Sequence, residues 1–116
     1  MLRPRADSVK SGTLLFEGKL LEVPSDAPRC GDIRVAVAYR FRIEKLLKGE
    51  SQRKTVVVLI ACPDLMGAGF FEAGALYRVE ATAALDEARS HTVYNDYPKS
   101  PVLWSNSVTR LKRGRR

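Results

Sequence analysis

Residues 33–44 read IRVAVAYRFRIE. Ile33, Val35, Val37, Tyr39, Phe41 and Ile43 take every odd position, and this period of two is the signature of a β-strand with one buried face. The opposite face mixes Arg34, Arg40, Arg42 and Glu44 with Ala36 and Ala38, so its middle is expected to be partly covered. Twelve residues at about 3.3 Å each reach about 40 Å, too long for a flat strand in a chain of 116 residues. The strand is therefore expected to curl, its two halves serving different parts of a closed or nearly closed sheet.

Working outward, residues 12–23, GTLLFEGKLLEV, place Leu14, Phe16, Leu20 and Val23 in a strand pattern interrupted by Gly18. A glycine inside such a pattern predicts a bulge or bend where another backbone comes close. Residues 24–32, PSDAPRCGD, are dense in turn formers and read as a loop. Downstream of the long strand, Gly49 suits a turn with positive φ. Residues 55–61, TVVVLIA, are continuous and β-branched, as a central strand buried on both faces requires. Residues 65–73, LMGAGFFEA, are open to a loop or one helical turn, and Gly74 opens a fourth strand over 75–83. Residues 84–89 are weakly helical, 90–101 read as a surface loop, and 102–111, VLWSNSVTRL, supply a last strand or a short terminal helix. About five strands with little helix remain. The expected class is all-β: a small five-stranded Greek-key OB-type barrel with at most one or two short helices, closure being the answer to the exposed edges that five strands create.

The composition, 45% apolar and 28% charged, suits a globular domain rather than a disordered chain. No apolar run approaches the roughly 20 residues that span a bilayer. The basic start, Met1 to Arg5, is followed by no apolar segment of signal-peptide type, so the chain as written is expected to carry no export or anchoring signal. The net charge of +7 is unevenly spread. Arg3, Arg5, Arg110, Lys112, Arg113, Arg115 and Arg116 lie at the two ends with no acidic residue among them, and residues 6–109 balance thirteen basic against thirteen acidic side chains. The organisation that follows is a flexible basic lead-in over 1–11, one barrel domain over 12–111 and a solvated basic tail over 112–116.

Several pieces taken in order resemble a family. They are Phe16-Glu17-Gly18-Lys19-Leu20, then Tyr39 to Ile43 leading to Leu47-Lys48-Gly49, Val56 to Ile60, Cys62, Gly69-Phe70-Phe71, and Gly74-Ala75-Leu76-Tyr77-Arg78-Val79. Over residues 14–83 their order and spacing resemble the bacterial netrin-like, or TIMP-like, OB-fold group. The resemblance implies an extracytoplasmic setting, reached after a signal has been removed. Inhibitors of that family chelate a metalloprotease zinc through a mature N-terminal cysteine, whereas this chain begins Met1-Leu2-Arg3, so inhibition by that route is not expected. The family also tends to carry a later cysteine in a motif like SNSVTR, where this chain has Ser107, so the usual partner of Cys62 is missing.

Little in the residues points to catalysis. Cys30 and Cys62 are the only cysteines. They could form one disulfide if strand ends bring them together, or remain two unconnected thiols, the favoured expectation without a sign of export. With His91 as the only histidine, no tight ligand spacing exists for a metal, and nothing in the spacing brings His91 to Cys62 as a thiol–imidazole pair. Asp64, Asp86, Glu87 and Asp96 form no paired-carboxylate motif, and Gly67-Ala68-Gly69 lacks the lysine of a phosphate loop. No enzymatic activity, cofactor or metal is expected.

Two binding functions remain. The first is a protein-interaction or accessory module using the barrel rim, made by the Cys30 loop, the Cys62 to Phe71 loop and the Tyr94 to Tyr97 loop, with an unidentified protein partner. The second is a single-stranded nucleic-acid binder using Arg34, Arg40, Arg42 and a neighbouring Arg78 with the basic tail, since OB-type barrels stack bases on exposed aromatics beside basic groups. Tyr39 and Phe41 point inward, so such aromatics would be Tyr94, Tyr97 or Trp104.

Overall fold

A computed structural model describes residues 13–24, 28–31, 33–83 and 85–111. The expected lead-in over 1–11 and tail over 112–116 lie outside the described residues. The strands are β1 (Thr13–Glu22), β2 (Val35–Lys48), β3 (Thr55–Ala61), β4 (Leu76–Thr82), β5 (Thr92–Tyr94) and β6 (Val102–Arg110). Short 3-10 helices at Pro63–Met66 and Asp86–Ser90 are the helical elements among the described residues.

Five strands close on themselves: β1 pairs with β2, β2 with β3, β3 with β6, β6 with β4, and β4 with β1. All of these pairings are antiparallel except β3 with β6. This is the small all-β, OB-type barrel that the strand pattern predicts. The sixth strand, β5, stands outside the ring and pairs in parallel with the start of β2, Val35 opposite Thr92 and Val37 opposite Tyr94. The segment 90–101 is thus not wholly a loop, a correction to the sequence reading, because its three-residue strand finds the length of β2 that β1 leaves uncovered.

β2 is long because it serves different neighbours along its length. It meets β5 over 35–37, β3 over 36–42 and β1 over 40–48. Its odd residues Val35, Val37, Tyr39 and Phe41 point into the barrel with Phe16, Leu20, Val58, Tyr77 and Val79. The strand begins two residues later than the alternation suggests. Ile33 is 63% exposed instead of inward, because the Gly31 N–H donates to the Ile33 carbonyl and turns the chain outward there.

β1 slips register against β2 between Leu15 and Phe16, between Glu17 and Gly18, and between Leu20 and Glu22. Such irregularities increase local twist and let a strand coil around its neighbour. Gly18 sits opposite Ile43, where a Cβ would lie 2.9 Å from Phe16 Cε1 and 3.0 Å from the Arg42 carbonyl oxygen. Only glycine lets the two backbones come that close.

β3 is buried on both faces, as its composition predicts. Its second face belongs to a separate apolar cluster of Ala36, Ala38, Val57, Leu59 and Trp104 outside the barrel, against which Tyr97, Val102 and Ala88 pack. The excursion between β4 and β6 covers the outer wall formed by β2 and β3. Ala36 and Ala38 are small because that layer lies directly on them.

Candidate functional site

The best-defined rim of the barrel forms where β3 ends. Cys62 follows β3 with φ 45° and ψ 56°, the one non-glycine residue with positive φ among those described. It is bonded to Cys30, with Cα atoms 5.3 Å apart, inside the range that a disulfide spans. The expectation of two unconnected thiols is therefore wrong. What the sequence could not show is that the Cys62 N–H donates to the Val35 carbonyl at 2.8 Å, so the end of β3 is tied to the start of β2 just after the loop bearing Cys30. The Cys30 N–H also donates to Asp64 Oδ1 at 3.1 Å.

From this fixed corner the Pro63–Met66 helix extends with Pro63 buried. Leu65 is 74% exposed and Met66 is 37% exposed. Beyond it, Phe70 and Phe71 fold back to cover the barrel mouth. Phe71 stacks on Tyr39 at 4.5 Å and on Tyr77 at 5.6 Å. The Tyr77 hydroxyl donates to the Phe70 carbonyl at 2.6 Å and accepts the Glu72 N–H at 2.8 Å. Arg110 donates to the Gly69 and Phe70 carbonyls and pairs with Glu72. Arg110, the first of the C-terminal basic residues and within the expected barrel domain, is thus a strand residue that holds this loop, its guanidinium pKa raised chiefly by the hydrogen bond to Glu72. Burial pushes the Tyr39 phenol up to about 12, with Tyr77 and Asp64 adding to the shift. Burial also raises the pKa of Tyr77.

The proposed nucleic-acid residues do not assemble into one open surface. Arg40 pairs with Glu22 at 2.8 Å and lies over the Tyr97 ring at 5.2 Å. Arg42 pairs with Glu44 at 3.0 Å, and Arg78 pairs with Glu17 at 2.8 Å. Exposed pairs of this kind contribute little to stability, but each places a carboxylate where a phosphate would have to approach. Trp104 is buried in the outer cluster rather than exposed, since β6 turns it against Ala36, Ala38, Val57 and Leu59. Tyr94 is half-buried against the barrel core. Tyr97 is half-buried, its phenol pushed up to about 12 by burial first and by its hydrogen bond to the Glu22 carboxylate second. Arg34 is exposed beside β5 and faces a cleft with Arg89.

The sequence places the Cys62 to Phe71 loop on the rim but does not single out Leu65 and Met66 within it. The available signal was an apolar pair set between Pro63-Asp64 and Gly67, where turn formers would ordinarily keep polar company. The His91 ring packs at a tilt against Trp104, centroids 5.1 Å apart, and its Nδ1 lies 2.9 Å from the Glu87 carbonyl oxygen. No helix among the described residues is long and apolar enough to cross a membrane. Comparison of the chain with family models, curated proteins and solved structures finds no match in any of the three.

Proposed function

We propose that this chain is a non-enzymatic protein-binding module of the netrin-like, OB-fold kind, docking through the barrel end that carries the Cys30–Cys62 bond. The observation that carries this reading is Leu65, 74% exposed on a short turn whose base is fixed by a covalent bond. An apolar side chain presented from a rigid support loses little conformational freedom on binding, and apolar side chains of this kind form the centres of protein interfaces. Met66 beside it enlarges the exposed apolar area next to the disulfide. Arg29 and Asp64 supply polar groups nearby. The bonded state of Cys62 supports a non-catalytic role, since a disulfide sulfur is no nucleophile. The same bond supports residence in an oxidising compartment.

The test compares wild-type protein with Leu65→Asp as immobilised bait against an extract of the producing cell. Leu65 contributes almost nothing to the core, so the variant is expected to melt with the wild type. A protein retained by the wild type after nuclease treatment and at moderate salt, and lost by at least tenfold from the variant, supports the reading. Equal retention by both baits, or loss of the partner on nuclease treatment, refutes it.

A further inference from the structure

Where β5 joins the edge of β2, the Thr92 N–H donates to the Arg34 carbonyl at 2.8 Å. Beside that junction is a shallow, open cleft of about 480 Å³ lined by Ile33, Arg34, Arg89, Ser90, His91 and Thr92. Its cations differ from those on the barrel wall. Arg40, Arg42, Arg78 and Arg110 each have a glutamate partner, whereas no acidic group among the described residues pairs with Arg34 or Arg89. Asp86 and Glu87, on the first turn of the helix that bears Arg89, are not part of the lining.

The Ser90 and His91 side chains that line the cleft are held in place. The Ser90 hydroxyl donates to the Glu87 carbonyl at 3.1 Å, and the same carbonyl accepts from His91 Nδ1 at 2.9 Å. With Nδ1–H so engaged and the ring against Trp104, His91 shapes the wall of the cleft, and the guanidinium groups of Arg34 and Arg89 are its anion donors. Trp104 is itself fixed in the outer apolar cluster. Two guanidinium forks match the paired oxygens of an oxyanion, and their summed charge matches a dianion better than a monoanion. Exposed Ile33 at the edge of the lining offers an apolar surface to the organic part of an ester.

We infer that this cleft binds a dianionic phosphoryl group, as free phosphate or as a phosphate monoester. The site stands apart from the docking surface around Leu65 and does not depend on that proposal. The test titrates the full chain with phenyl phosphate, inorganic phosphate and dimethyl phosphate at about pH 7.5, where the monoester is dianionic. Ionic strength is matched with sodium chloride, and amide signals are followed by NMR. Phenyl phosphate is expected to shift Arg34, Ser90, His91 and Thr92 saturably. Dimethyl phosphate, a monoanion, is expected to bind about tenfold more weakly, in line with the loss of one charge-assisted contact. Arg34→Gln and Arg89→Gln should each weaken phenyl phosphate about tenfold or more, and Arg34→Lys, which keeps the charge but loses the fork, should fall between. Tighter binding of phenyl phosphate than of inorganic phosphate marks a monoester as the ligand, and equal binding marks free phosphate. The inference is overturned by shifts no larger than the chloride control, by equal binding of the diester, or by unchanged affinity in the glutamine variants with native spectra.

Discussion

Cutting the Cys30–Cys62 bond tests the corner on which the docking proposal rests. The two cysteines are separated by 32 residues, and closing a loop of that length removes about 12 cal/mol/K from the unfolded chain, or about 3.7 kcal/mol at 25 °C. Part of this returns when the bond is absent, because Cys62 is held at φ 45° and relaxing a left-handed non-glycine residue recovers roughly 1 kcal/mol. The net loss is then about 2.7 kcal/mol, which for a chain of this size lowers Tm by about 11 °C. Calorimetry of Cys30→Ser/Cys62→Ser, alongside wild type with excess phosphine reductant, should give the same drop for both. Thiol counting on unreduced, denatured wild type should find none. Two titratable thiols, or a Tm shift below about 4 °C, equivalent to roughly 1 kcal/mol, would refute the reasoning.

Gly18→Ala places its methyl against the fully buried Phe16 ring and the Arg42 backbone carbonyl. Neither can retreat, so the urea midpoint should fall by the equivalent of about 1–3 kcal/mol with an unchanged m-value. Tyr77→Phe deprives the Phe70 carbonyl and the Glu72 N–H of the hydroxyl that joins them. Because water can reach this loop, the cost is about 1 kcal/mol, and amide exchange at Glu72 should quicken while the β4 amides stay protected. The phenols of Tyr39 and Tyr97, raised from 10.0 to about 12, keep their protons in the folded chain after the unfolded chain has lost them. Their contribution to stability is whole below pH 10 and is lost as pH rises through 12, since the unfolded state then binds fewer protons. Ultraviolet titration should show phenols that ionise only well above 10, and complete ionisation in a single step near 10 would contradict the burial assigned to Tyr39 and Tyr97.

The parts of the fold legible in the sequence are those governed by local periodicity. Val35, Val37, Tyr39 and Phe41 alternate because one strand face meets the core, and the run at Thr55–Ala61 is continuous because both faces are covered. Gly18 announced the bend in β1 because no other residue tolerates its surroundings. The features that escaped depend on what a segment meets far along the chain. Ile33 continues the alternation but has left the ladder, because the turn begun at Gly31 reaches past the run of turn formers into the alternating stretch. Trp104 looks available for stacking until β6 is paired with β3, which turns the ring onto Ala36 and Ala38. The pairings Arg40–Glu22 and Arg78–Glu17 follow from the registers of β1 with β2 and with β4, and register is not written in composition. The disulfide likewise required knowing that the end of β3 lies beside the start of β2.

The two faces of β2 explain why its arginines, though close in sequence, do different work. Toward the middle, Ala36 and Ala38 accept a second apolar layer, and that layer exists because the chain between β4 and β6 crosses the outer wall. The crossing segment brings Tyr97 over Arg40, and the β1–β2 register sets Glu22 beside both, which draws Arg40 into the wall of the protein. Farther along, where β1 is the neighbour, Arg42 is balanced by Glu44 on its own strand. Before the middle, the same segment adds β5 at the strand edge and brings Arg89 and His91 to Arg34, with no carboxylate among the described residues of the lining. Carboxylates of β1 and β2 thus neutralise part of the basic face while the excursion concentrates charge in another, so a stripe that resembles a nucleic-acid surface in the sequence becomes a local pocket of positive charge. A ligand matched to that pocket needs its negative charge gathered on one group, which is why a phosphoryl dianion suits it better than a strand of singly charged diesters.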